Sequence, residues 1–244
     1  MATLFVGLPA LGAESFHEGF DGTLTSFGVA VKNNPYIEIV KSDGIAGTSA
    51  AKVSYVGFER GSKRVVFNYR LRQPSLVYHL SFSVKFCNGF DFRKGGKLHG
   101  LGSKNPVTGG AEVGPLGWSA RLMFTRKGGL MTYLYHQDMH GRFGDHVVAK
   151  DFRFEPGRYY KLDSYLLLND PHDASNGSFK VFVDDVMMID HSNVRFRRLA
   201  GEEGEIATVM FSTFHGGSSP DWAPRTATGD YKVDCAFFDQ FSLQ

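Results

Sequence analysis

Along most of the chain, apolar and polar residues alternate one for one, the period of a strand with one covered face. In YHLSFSVKF (78–86), Tyr78, Leu80, Phe82, Val84 and Phe86 fall on one side, and His79, Ser81, Ser83 and Lys85 on the other. The segments 62–71, 159–168, 179–190, 205–214 and 234–243 read in the same way, with a hairpin turn at Asp184-Asp185. No amphipathic helix longer than two turns is expected. No Pro/Ser-rich linker or repeat divides the chain. Residues 87–117 and 215–230 read as two long irregular loops, of the kind that carries function. The opening MATLFVGLPALGAES lacks a basic start, so an ordinary first strand is expected there in preference to a signal peptide. The pattern predicts one all-β domain over 1–244: an antiparallel β-sandwich of jelly-roll, concanavalin-like type.

Residues 118–138, WSARLMFTRKGGLMTYLYHQD, read as a hairpin. With a three-residue loop Lys127-Gly128-Gly129, Phe124 opposes Thr132, Leu122 opposes Leu134 and Ala120 opposes His136 on the core face. The other face pairs Met123 with Tyr133, Arg121 with Tyr135 and Ser119 with Gln137. A loop of even length would bury Arg121 or expose Leu122, so the pattern selects an odd one. Two tyrosines beside an arginine make a polar, aromatic platform suited to a sugar or an anion.

The chain has 244 residues, 42% of them apolar and 21% charged, with a net charge of +2. That balance argues against a nucleic-acid binder driven by bulk charge, and leaves room for a local basic cleft. The 29 glycines, 22 phenylalanines and 10 tyrosines suit short strands and tight turns. No apolar run is long enough to span a membrane. Cys87 and Cys235 show no metal-ligand spacing. Buried free thiols on two core strands are expected, with a single disulfide between distant strands as the alternative. No metal or cofactor is expected.

The stretch DFRKGGKLHGLGSKNPVTGG (91–110) places Gly95-Gly96 before Lys97, where the backbone can turn tightly and approach a ligand. Its spacing does not match a phosphate-binding loop. KGGKLHGL, then GWSARLMF, then YLYH, and late in the chain FSTFHGGSSPDWAP resemble, in order and spacing, polysaccharide lyase family 14. The resemblance runs from about residue 80 to the C-terminus. This family includes chlorovirus lyases that degrade glucuronate polymers of algal cell walls, and mollusc alginate lyases. The resemblance implies a jelly roll with a catalytic cleft on its concave sheet, and it carries Lys97, Ser119, Arg121, Tyr133 and Tyr135 over as functional residues. His99 stands where many relatives have proline. The low cysteine count is more similar to the algal-virus branch.

A uronate lyase removes the C5 proton, α to the carboxylate, and expels the C4 oxygen. The resemblance therefore implies Lys97 and Arg121 as neutralisers of the carboxylate, whose enolate-like charge they would stabilise. Tyr133 and Tyr135 are expected as base and acid, Tyr135 the main proton-transfer residue, with the nearby cations lowering their pKa. Ser119 is expected to hydrogen-bond the sugar, and His79, His99 and His215 are candidate substrate contacts; His136 is read as a core histidine. No close carboxylate pair of the kind glycoside hydrolysis needs is visible. The leading reading is a monomeric lyase of an acidic polysaccharide, a glucuronate or mannuronate polymer, with no nucleic-acid or membrane partner. It would act on extracellular or cell-wall material, as a secreted or virus-encoded protein. A non-catalytic carbohydrate-binding sandwich and a β-glucan hydrolase are the alternatives.

Overall fold

The computed structural model describes residues 14–244, so the expectation for the first residues lies outside the described chain. The strands are, in order, β1 (Phe16–Glu18), β2 (Ile37–Val40), β3 (Ala50–Phe58), β4 (Gly61–Ser62), β5 (Val65–Ser75), β6 (Val77–Phe86) and β7 (Gly95–Gly102). There follow β8 (Ser119–Thr125), β9 (Leu130–Tyr135), β10 (Tyr159–Leu167), β11 (Gly177–Val183), β12 (Val186–Val194), β13 (Ile206–His215) and β14 (Val233–Leu243). A two-turn helix, α1 (Ser26–Lys32), begins at Thr25, whose hydroxyl accepts from the Gly28 N–H at 3.1 Å. The molecule is an all-β sandwich of two antiparallel sheets. One has the path β12-β11-β10-β6-β14-β3-β2, with β1 on β14 and β4 on β3; the other runs β5-β13-β7-β8-β9.

The alternation read from the sequence is what packs the two sheets together. Tyr78, Leu80, Phe82, Val84 and Phe86 of β6 are buried, and they meet Ala120, Leu122 and Phe124 of β8 and Phe211 of β13 in one continuous core. Phe82, Phe211, Phe238 and Phe241 lie at its centre with ring centroids 5.5–6.3 Å apart. The hairpin turn at Asp184-Asp185 is present, with both residues at positive φ (48° and 65°), as a tight turn matched to strand twist requires.

Three expectations are corrected. First, the supposed loop 87–117 contains β7, the central strand of the five-stranded sheet. Its glycines hide the alternation, and packing explains them. A Cβ on Gly100 would lie 2.1 Å from the Ala120 carbonyl oxygen, and one on Gly95 (φ 116°) 2.7 Å from that of Phe124. The neighbouring backbone leaves room for hydrogen only.

Second, the hairpin pairs Ser119 with Tyr135, Arg121 with Tyr133 and Met123 with Met131. The loop has three residues, but they are Arg126-Lys127-Gly128, closed by the Thr125 N–H on the Gly129 carbonyl at 2.7 Å. Gly128 supplies a positive φ of 80°, whereas Gly129 (φ −65°) is already extended. The pairing therefore slips by two residues, and each residue keeps its expected face.

Third, Cys87 and Cys235 form a disulfide, with Cα atoms 5.4 Å apart, and no free cysteine remains among the described residues. They sit side by side because β6 pairs with β14, which 148 positions of sequence conceal. Replacing both by alanine is expected to lower the unfolding free energy by about 2–4 kcal/mol, read from urea melts of the oxidised parent and the variant.

Candidate active site

The outer face of the five-stranded sheet, opposite the core, gathers four of the residues singled out from sequence. Arg121 and Met123 alternate with the core residues Ala120, Leu122 and Phe124 on β8; Tyr133 and Tyr135 alternate with Leu134 on β9. Lys97 joins them from β7, paired in register with Met123 and with Phe214 of β13. Its ammonium nitrogen lies 3.7 Å from the centroid of the Tyr133 ring and 2.9 Å from the Met123 sulfur. The Arg121 guanidinium carbon lies 5.7 Å from the same centroid. The two phenolic oxygens are 3.5 Å apart.

This cluster is short of negative charge. Neither Lys97 nor Arg121 forms a salt bridge among the described residues. Arg121 is 4% exposed, and its Nε has no hydrogen-bond partner. A buried donor left unfilled costs about 1–3 kcal/mol, more when charged. Burial lowers the Arg121 pKa to about 10, partly offset by the two tyrosines. Lys97 falls further, to about 6, first through burial and then through repulsion by Arg121 and Arg64. Its amine is therefore mostly uncharged at neutral pH and free to accept a proton.

Tyr133 moves the other way. Burial and the Tyr135 hydroxyl push its phenol above the ordinary tyrosine value, and the Gly144 N–H and Arg121 offset this only in part. The expectation that neighbouring cations would ionise this phenol is thus reversed, because desolvation is the larger effect. Tyr135 is fully buried, and its hydroxyl accepts from the Gly110 N–H at 2.9 Å.

The remaining candidates take other places in the fold. Ser119 shares the sheet face but is fully buried, its hydroxyl donating to the Val107 carbonyl at 2.7 Å, so it anchors the 103–118 segment over this end of the sheet. His79 is on β6, in the other sheet, and faces away from the core: its Nε2 is 2.8 Å from Asp163 and its ring stacks on Tyr165 at 4.0 Å. His99 is fully buried among Phe82, Phe211 and Phe238, and its Nδ1 accepts from the Ser212 N–H at 3.1 Å. A bulge in β7 between Lys97 and Gly100 turns His99 inward, where simple alternation would have left it beside Lys97. His215 is buried against Phe90, its Nε2 donating to the Asp91 carbonyl at 2.7 Å, and burial lowers its pKa to about 4. His136 is buried, 3.0 Å from Asp145. None of these four histidines joins the cluster.

Three contributors were missed from sequence. Met123 was placed on the right face but given no task. Arg64 precedes β5, two strands away from Lys97, and only the sheet order brings its charge near. Gly144 acts through its backbone, which carries no residue-type signal. No group of three or more His, Cys, Asp or Glu that could hold a metal occurs among the described residues.

Comparison with known proteins agrees with this architecture. The family described as Polysaccharide lyase 14 matches residues 65–234. The fold is similar to that of the alginate lyase Aly36B, solved as a lysine-and-tyrosine double mutant with an alginate tetrasaccharide. That match has a TM-score of 0.74 and 18% identity, covering 95% of this chain and 97% of that one. It is also similar to a marine alginate lyase from Aplysia kurodai (TM-score 0.73, 20% identity, 95% and 98% covered). An endo-β-1,4-glucuronan lyase from the fungus Trichoderma reesei shares it as well (TM-score 0.60, 15% identity, 93% and 94% covered). No curated protein matches the chain by sequence.

Proposed function

The chain belongs to the polysaccharide lyase 14 family, and from that premise we propose that it cleaves a uronate polymer by β-elimination on the outer face of its five-stranded sheet. One observation carries this reading: a buried arginine and a lysine stand over one tyrosine ring beside a second phenol, and among the described residues no carboxylate pairs with either basic group.

Arg121 receives the uronate carboxylate and stabilises the charge that spreads into it as the C5–H bond breaks. Lys97, neutral above about pH 6, takes the C5 proton on its nitrogen. The electron pair forms the C4–C5 double bond, the C4–O bond breaks, and the leaving oxygen takes a proton from the tyrosine pair. Tyr133 suits the role of acid because its phenol stays protonated, and Tyr135, 3.5 Å away, can hand on or share that proton. This exchanges the parts expected from sequence, with lysine as base and tyrosine as acid. Two of the similar structures are alginate lyases and a third is a glucuronan lyase. The two polymers share the C5 chemistry, and either fits this reading.

The test is ultraviolet absorbance of the unsaturated product on glucuronan, polymannuronate and a neutral β-glucan. Absorbance should rise on a uronan and not on the glucan. Reducing ends without absorbance would mean hydrolysis, and binding without product would mean a non-catalytic sugar-binding sandwich. The value of kcat/KM should rise with pH through about 6, as Lys97 loses its proton, and fall again only at alkaline pH, as the phenol ionises. Tyr133→Phe should cut kcat at unchanged fold by about 10²–10⁴-fold, the usual contribution of a positioned acid or base, and Tyr135→Phe should cut it less.

A further inference from the structure

A second basic site lies at the ends of the strands that carry the cluster. There, a cavity of about 420 Å³ opens between the segment leading into β7 and the turn from β8 to β9. Its volume falls within the roughly 300–1,000 Å³ range of small-ligand pockets. Arg93, Lys94, Arg126 and Lys127 line it, with Asp91 and Asp221 as the acidic members.

The acids are already engaged. Asp221 pairs with Lys94 at 2.8 Å. Asp91 accepts the backbone N–H groups of Arg93 and Arg225 at 3.2 and 3.1 Å, and its carboxylate lies 3.8 Å from the Arg93 guanidinium. Arg126 and Lys127 form no salt bridge among the described residues. The recess therefore keeps two uncompensated cations.

The turn fixes where Lys127 stands. Lys127 sits at φ 62°, ψ 26°, a left-handed conformation that costs a residue with a side chain about 1–2 kcal/mol. Glycine would adopt it freely, yet a lysine occupies it, directly before a glycine that does the same. Asp184 and Asp185 adopt the same region in the β11–β12 turn, so the conformation belongs to the hairpin and holds Lys127 at its tip.

The recess also lies within reach of the reacting cluster. Lys94 precedes Lys97 by three residues, roughly 10 Å of extended chain. Arg126 and Lys127 continue β8 directly beyond Met123, which touches Lys97.

We propose that this recess is a second anion-binding subsite, in which Arg126 and Lys127 hold the carboxylate of a uronate further along the polymer bound at Lys97 and Arg121. The proposal rests on the reading of the chain as a uronate lyase. It predicts a preference for longer chains over the disaccharide, since a disaccharide reaches only one of the two sites.

The test uses the full chain carrying Arg126→Ala and Lys127→Gly. On a uronan polymer at low salt, KM should rise several-fold with kcat unchanged, and the salt dependence of KM should flatten. On the disaccharide of the same uronan, which is too short to span both sites, both constants should stay at the parent's values. Lys127→Gly alone should raise the melting temperature, because it relieves the left-handed turn, so weakened polymer use cannot be blamed on unfolding. Equal changes on polymer and disaccharide, or no change on either, would overturn the subsite. Calorimetric binding of polymannuronate and polyglucuronate reads the subsite independently of turnover. Weaker binding by the double variant supports it even if the parent releases no unsaturated product, and unchanged binding refutes it.

Discussion

Lys97→Met is expected to end catalysis and to make the protein more stable. The two effects share one cause. Folding places the amine where burial, Arg121 and Arg64 disfavour its charge and bring its pKa from 10.5 to about 6. Between these values the unfolded chain holds a proton that the folded chain has released. Stability therefore rises with pH across the window from about 6 to 10.5, and the penalty is complete below it. Methionine has no proton to lose and a similar length. At pH 7 the variant should gain roughly 3 kcal/mol, a figure already reduced for the amine's partial contact with water. The gain should fade as pH approaches 10. Loss of the base should lower kcat by about 10²–10⁴-fold. Urea melts at pH 7 and pH 10 together with initial rates on a uronan check both effects. A variant that is less stable than the parent at pH 7 would show that Lys97 is charged and paired in the fold.

Arg121→Met is expected to cost about 10²–10³-fold in kcat, the usual loss when one donor to a developing negative charge is removed. The guanidinium's place over the Tyr133 ring, beside Lys97, is the reason to expect a transition-state effect as well as weaker binding. Arg121→Lys should recover little, because an ammonium offers no planar fork to a carboxylate. The variant should also change the pH profile at both ends. Arg121 is one of the charges that depress Lys97, so the acid limb should move above pH 6. Arg121 also holds the Tyr133 phenol down against burial, so the alkaline limb should move up. Full pH–rate profiles of parent and variant test this. A profile displaced at neither end would separate Arg121 electrically from the other three groups.

Much of this was present in the order of residues. Period-two alternation marks β6, β10, β13 and β14 and assigns their core faces, because one covered face per strand is a local requirement. The same parity put Arg121, Met123, Tyr133 and Tyr135 on one surface even though the pairing slipped by two, since a slip of two preserves the face. The KGGKLHGL motif identified Lys97 without showing that it lies on a strand.

What only the tertiary structure decided depends on neighbours distant in sequence. The glycines of β7 read as loop until the backbones on either side explain them. One bulge sends His99 into the core and leaves Lys97 outside, and a bulge is a property of two paired strands. The disulfide required β6 and β14 to lie side by side. Above all, the protonation states of Lys97 and Tyr133 depend on burial. Alternation says which way a side chain points, but the cost of its charge is set by everything packed around it.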